Sequence, residues 1–160
     1  MAYTFKQLSP DVLSTLFSDA DGLEVVRVVD PSQLGPEFDG QWGKVFIKDD
    51  ALTYVISITD YQCLKFMYAW IAPESTMAPA SELVETVNAR GLLMPTCYYD
   101  GVDEDGDGQF MFIHNQMVPD GETVSKEFLL KSFDLFREAT RKSLADLWSL
   151  LCQQESTSAA

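Results

Sequence analysis

Hydrophobic positions along the chain change period several times, and each change marks an element. Val12, Leu13, Leu16 and Phe17 recur at helical spacing behind Ser9 and Pro10. Ser9 suits an N-cap, Pro10 the first helical position, and Asp11 the positive end of the helix dipole. Asp21 and Gly22 stop this helix. Residues 23–29 then carry Val25, Val26, Val28 and Val29, a β-branched run that predicts a strand. Residues 30–43 hold Pro31, Gly35, Pro36, Gly40 and Gly43, the composition of a long loop or an irregular edge.

Three strand candidates follow at 44–48, 52–58 and 64–71, separated by Asp49-Asp50 and by a turn at Asp60. In the third, Leu64, Phe66, Tyr68 and Trp70 fall on one face, while Lys65, Met67, Ala69 and Ile71 fall on the other. An antiparallel meander is the economical arrangement. Pro73 breaks the run. Leu83, Val84 and Val87 then place a helix over 81–90, closed by Gly91 as its C′ residue. Strands at 92–99 and 109–118 flank the Asp/Gly-rich turn 100–108, and Pro95 makes the first of them an edge or irregular strand.

The longest helix is predicted over 125–153. Ser125 is its N-cap, and Val124 is a staple residue against Leu129. Its apolar stripe runs through Leu129, Phe133, Phe136, Thr140, Leu144, Leu147 and Leu151, widened by Phe128 and Trp148. Residues 154–160 are small and polar and are expected to be disordered. The order α-β-β-β-β-α-β-β-α predicts a single α+β domain over 1–153, an antiparallel sheet with helices packed on one face.

Composition narrows the function classes. A chain of 160 residues with 46% apolar content can build a real core, and at this length roughly 70% of the unfolded surface is buried on folding. Eleven Lys and Arg against 25 Asp and Glu leave a formal charge of −14. That balance argues against nucleic acid and against anionic membranes as partners, since both demand extended basic surface. The one histidine, His114, excludes a histidine-cluster metal site. Cys63, Cys97 and Cys152 are odd in number and widely spaced, unlike a secreted disulfide framework. The first residues read as no signal peptide, and the apolar run 63–72 is about half a membrane span. A cytoplasmic, soluble protein is the expectation.

Candidate chemistry is sparse. Asp103, Asp105 and Asp107, with Gly106 and Gly108, match the first half of an EF-hand calcium loop. The twelfth position is His114, which cannot supply the closing bidentate carboxylate, and the flanks read as strands. A solvated hairpin turn is the simpler reading, with calcium the candidate cation and no other cofactor indicated. His114 with Cys97 or Cys63 has the residue types of a base and nucleophile, yet no local signature surrounds them. No catalytic residue is therefore assigned. The plentiful aromatics serve mostly as core. If the run 64–71 is apolar on both faces, a partner covers one of them, which makes Phe66, Tyr68, Trp70, Phe110 and Phe112 candidate partner-binding residues.

A family resemblance adds to these readings. Its carriers are Leu83-Val84-Glu85-Thr86-Val87-Asn88, then a strand, an Asp/Gly turn and a second strand, then Asp120-Gly121-Glu122-Thr123 and the helix start at Phe128–Phe136; through them the segment from about Ser81 to Leu151 resembles the YbjN-like family of small bacterial proteins. That family is described as putative sensory transduction regulators. It is similar in fold to type III secretion chaperones, α+β sandwiches that often dimerise and bind other polypeptides. The resemblance implies a non-enzymatic regulatory or chaperone-like protein with protein partners and a possible homodimer, and it brings no catalytic residues. A small-ligand or calcium sensor using the 100–107 loop is the alternative, and an enzyme a third.

Overall fold

A computed structural model describes residues 1–33, 41–59, 62–72, 80–90 and 95–158, with the side chains of Gln33, Gln41, Trp42, Ala80, Ser81, Arg90 and residues 154–158 left aside. The elements are β1 (Ala2–Tyr3), α1 (Pro10–Ser18), β2 (Glu24–Val29), β3 (Gln41–Lys48), β4 (Thr53–Thr59), β5 (Cys63–Ala72), α2 (Ala80–Arg90), β6 (Thr96–Val102), β7 (Gly108–Met117), β8 (Val124–Ser125) and α3 (Lys126–Ser158). Short 3-10 turns occupy Phe5–Gln7 and Pro31–Gln33. An antiparallel six-stranded sheet runs in the order β2-β3-β4-β5-β7-β6, and β1 pairs with β8 in a separate two-stranded ribbon. The fold class is thus α+β, in the expected element order.

The boundaries depart from the pattern in specific places. The loop expected over 30–43 gives way to β3 at Gln41, after the 3-10 turn at Pro31–Gln33; residues 34–40 lie outside the described residues. β6 begins at Thr96 rather than at 92, and Gly91, Asp60 and Pro73 also fall outside them. α3 continues past Gln153 to Ser158, so helix replaces most of the tail expected to be disordered. Small polar side chains such as those at the end of the chain lower helix propensity by only tenths of a kcal/mol each, too little to end a helix of this length alone. The chain comprises two compact units, Met1–Met67 with Asn115–Asp134, and Tyr68–His114 with Leu135–Ala160.

In the first unit the caps act as the sequence implies. Ser9 Oγ accepts from the Val12 amide at 3.3 Å, and Ser125 Oγ accepts from the Phe128 amide at 3.0 Å. Asp49 is buried because its Oδ1 closes the β3–β4 turn, accepting from the amides of Ala51 (2.9 Å) and Leu52 (2.7 Å). Val45, Ile47, Tyr54, Ile56, Ile58, Leu64 and Phe66 all point to one dry face. Onto it α1 sends Leu13, Leu16 and Phe17, and the start of α3 sends Leu129 and Phe133. Phe133 meets Phe17, Tyr54 and Phe66 edge-to-face, with ring centroids 5.0, 5.6 and 5.6 Å apart. Gly43 fits α1 closely against this sheet: at φ +127°, a Cβ there would lie 2.5 Å from Pro10 Cγ and 2.8 Å from the Val29 carbonyl oxygen.

In the second unit the core comprises Ala72, Leu83, Val87, Cys97, Phe110, Phe112, Leu147 and Leu151, with Tyr68 and Trp70 packed against it. α2 and the C-terminal half of α3 supply its helical side. The α3 stripe is narrower than the pattern suggests, since Phe128 and Trp148 stay 51% and 52% exposed. Trp148 nonetheless stands edge-on to Trp70 at 6.0 Å.

Replacing Phe133 by Ala removes three aromatic contacts and leaves a cavity in a fully buried site, so a loss of about 3–5 kcal/mol is expected. Urea denaturation followed by tryptophan fluorescence measures it, and Phe133→Leu should retain much of that stability.

Candidate functional site

The strands present two faces of opposite character, and the candidate site follows from the outer one. Phe66 is fully buried in the first unit, Phe110 and Phe112 are fully buried in the core of the second, and Tyr68 and Trp70, partly buried, pack against that second core. Phe66, Phe110 and Phe112 thus present no exposed surface, while Tyr68 and Trp70 stay partly exposed. They sit on the face that the protein's own helices cover. The outward positions are the intervening ones, which alternation places on the other side of each strand.

In the second unit these outward residues are Ala69, Ile71, Gln109, Met111, Ile113, Thr96 and Tyr98, with exposed Asp100 the one charged residue that follows them at the end of β6. Ile71 is 53% exposed and Tyr98 49%, and Tyr98 stands directly opposite Met111 across the β6–β7 ladder. Adjacent outward apolar side chains on a sheet have no core to justify them.

β6 ends the sheet, and an unpaired edge invites pairing by another chain. Here α2 closes part of that edge. Asn88 Nδ2 donates to the Cys97 carbonyl at 3.0 Å, and Asn88 Oδ1 accepts from the Cys97 amide at 2.7 Å. One side chain thus pairs with both backbone groups of a residue, as a neighbouring strand would. Beyond Tyr99 the ladder slips before resuming at the Val102–Gly108 pair, a bulge that twists the strand end.

The acidic turn lies past that bulge. Asp103 Oδ1 accepts from the amides of Asp105 and Asp107, both at 2.9 Å, and the Asp103 amide donates to the Asp107 carbonyl at 2.8 Å. Gly106 takes φ +83°, the conformation that glycine permits. Asp103, Asp105 and Asp107 are therefore gathered in one hairpin between two paired strands, with a carboxylate oxygen of Asp103 holding the turn. Among the described residues no group of three His, Cys, Asp or Glu side chains is placed to hold a metal ion.

Cys63 and Cys97 are ill-suited to nucleophilic chemistry. Burial pushes the Cys97 thiol up to about 12, and burial also raises Cys63, opposed in part by the nearby Lys65 charge. Reactive cysteines need the opposite shift. In the first unit, a cavity of about 290 Å³ is bordered by Phe5, Lys6, Gln62, Asp120 and Glu122. Gln62 adopts φ +54°, and its buried Oε1 has no hydrogen-bond partner. No pattern in the sequence announces this residue.

The outer face of the first unit differs from that of the second. Lys44, Phe46 and Lys48 on β3, Val55 on β4, and Lys65 and Met67 on β5 alternate with the buried positions, and Ser57 on β4, itself buried, shares their side of the sheet. Arg27 on β2 lies opposite Phe46, its guanidinium carbon 5.6 Å from the ring centroid, within cation–π range. The period-two placement of these lysines is visible in the sequence, but the register that aligns them is not.

No family model, curated protein or solved structure matches the chain. Among the described residues, no helix is long and apolar enough to cross a membrane.

Mutation, hydrogen exchange and thiol labelling check this geometry. Asn88→Ala strands a buried amide and carbonyl, so a loss of about 1–3 kcal/mol is expected. Hydrogen exchange at the Cys97 amide should quicken along with it. For the thiols, iodoacetamide at about pH 8.5 should modify half-exposed Cys152 well before Cys97 or Cys63, which should react only on unfolding. The Cys97 contribution to stability is fully present below the ordinary thiol value of 9.0 and is lost as pH rises toward about 12, because the unfolded thiol ionises first.

Proposed function

We propose that this protein is a non-enzymatic, chaperone-like or regulatory module that binds other polypeptides, acting in the cytoplasm. The observation that carries the reading is the largely apolar outer face of the second unit, where Ile71, Tyr98, Met111 and Ile113 stand outward from strands already backed by a complete core. A partner that covers such a face removes apolar surface from water at roughly 25 cal/mol per Å², without disturbing the core behind it. The resemblance to YbjN-like regulators and to type III secretion chaperones supports the same reading, and a second copy of the chain is one partner it allows. Raised thiols at Cys63 and Cys97 weigh against cysteine catalysis as the alternative. A calcium-sensing role for the Asp103–Asp107 turn is favoured by no comparable observation, since its geometry serves the hairpin.

A photo-crosslinking amino acid at Met111, compared with one at exposed Val26 on β2, tests the reading. Cross-links to a second polypeptide or to another copy of the chain are expected from position 111 and not from 26. Ile113→Lys should abolish them while leaving the far-ultraviolet circular dichroism intact. A strictly monomeric protein by light scattering, with no cross-link at 111 in its native host, overturns it.

A further inference from the structure

Aromatic side chains in the second unit form a continuous row that its helices cover only in part. Tyr99 stands opposite Phe110 across the β6–β7 ladder, with ring centroids 5.4 Å apart, and Trp70 on β5 meets Phe110 from the other side at 5.9 Å. Trp148 of α3 ends the row against Trp70 at 6.0 Å, with the two rings at 82°. Phe110 is wholly buried, yet Tyr99 is 38% exposed and Trp148 more than half exposed. Each exposed ring is held by the ring beside it, so its open surface is in place before a partner arrives and costs little to order.

Along these contacts Tyr99 and Trp148 lie at most about 17 Å apart, the span of roughly five extended residues. A short strand-like segment therefore reaches both.

Charge decides which segment fits. Val102 pairs with Gly108, two residues along β7 from Phe110, so the hairpin tip begins about 7 Å beyond the Tyr99–Phe110 pair. Asp103 is engaged in holding that turn, but Glu104 and Asp105 are exposed at its tip. Little in the sequence around them offsets their charge: Arg90 is the sole basic residue between Lys65 and Lys126. Aromatic surface beside uncompensated carboxylates suits a guanidinium, which stacks on a ring through its plane and pairs with a carboxylate through its edge. An ammonium supplies the charge without the plane. The net charge of −14 draws a cationic segment toward the molecule from a distance.

We propose that the Tyr99–Trp148 row docks an extended, arginine-bearing segment of a partner polypeptide. Trp148 and Tyr99 stack its guanidinium groups, and Glu104 and Asp105 pair with its charge. The proposal rests on the polypeptide-binding reading above and adds the chemistry of the partner segment. It uses the helix side of the strands, not the outer face that carries that reading.

Fluorescence anisotropy with the full chain tests it, using a short labelled peptide in which Arg alternates with Ser. Controls replace every Arg with Lys, or with uncharged, planar citrulline. The Arg peptide should bind and weaken as salt rises. The Lys peptide should bind about three- to fivefold more weakly, and the citrulline peptide at least about tenfold more weakly. Trp148→Ala should reduce binding of the Arg peptide by about tenfold, and Trp148→Phe should restore most of it. Glu104→Gln with Asp105→Asn should reduce it by about fivefold and flatten the salt dependence. Asp21→Asn with Glu24→Gln makes the same change in charge on exposed residues of the first unit and should leave binding unchanged. If Trp148→Ala prevents folding, Trp148→Leu keeps apolar bulk without the ring, with the same direction expected. Equal binding of Arg and Lys peptides, indifference to the Trp148 variants, equal losses from the two acid pairs, or absence of binding each overturns the proposal. Cross-linking at Met111 that persists while the Arg peptide fails overturns this proposal alone and leaves the broader reading standing.

Discussion

Phe133 meets Phe17, Tyr54 and Phe66 through ring edges, and at that contact α1, the strand meander and α3 come together. The contact exists only because β4 and β5 turn every second side chain the same way. A shift of one residue in either strand would exchange the dry face for the face bearing Ser57, Lys65 and Met67. Aromatic packing and strand register therefore enforce each other: the rings reward one register, and that register alone presents the rings. The outer surface, with its lysines, is the complement of that choice.

Elements whose signals are local were legible in the sequence. Ser9 and Ser125 cap their helices because a hydroxyl beside the first turn finds its amide whatever the rest of the chain does. The meander was legible because Tyr54, Ile56 and Ile58, and Leu64 and Phe66, alternate without interruption. What depends on distant partners was not. The two-residue ribbon of β1 with β8 is too short to leave a periodic trace. Phe128 and Trp148 look like stripe residues by spacing, yet stay half exposed because the surface each faces is not set by α3 alone. The burial of Phe66, Phe110 and Phe112 was hidden for the same reason. Alternation separates two faces of a strand, but only the position of the helices decides which of them is interior.

Charge carries a related lesson about averages. A net −14 describes how the molecule behaves at distances beyond a Debye length, about 8 Å at physiological salt. Closer than that, neighbours decide. Lys44 and Lys65 flank a neutral serine, while Asp103, Asp105 and Asp107 share a tight turn whose backbone amides absorb part of the charge. The same composition holds a locally basic sheet and a locally acidic hairpin.

The Asn88 clamp bears on the order in which the second unit is built. A helix side chain takes the place of a strand at Cys97, across a sequence separation of only nine residues. β6 cannot satisfy the outward groups at Cys97 through β7 alone; it waits for α2 to dock. Helix docking and completion of the strand are thus one event, closed by a short loop whose entropy is small compared with that of long-range strand pairing. Such coupling removes a half-formed sheet with an open edge from the folding route. That is the species through which strand proteins most readily find each other before they finish folding.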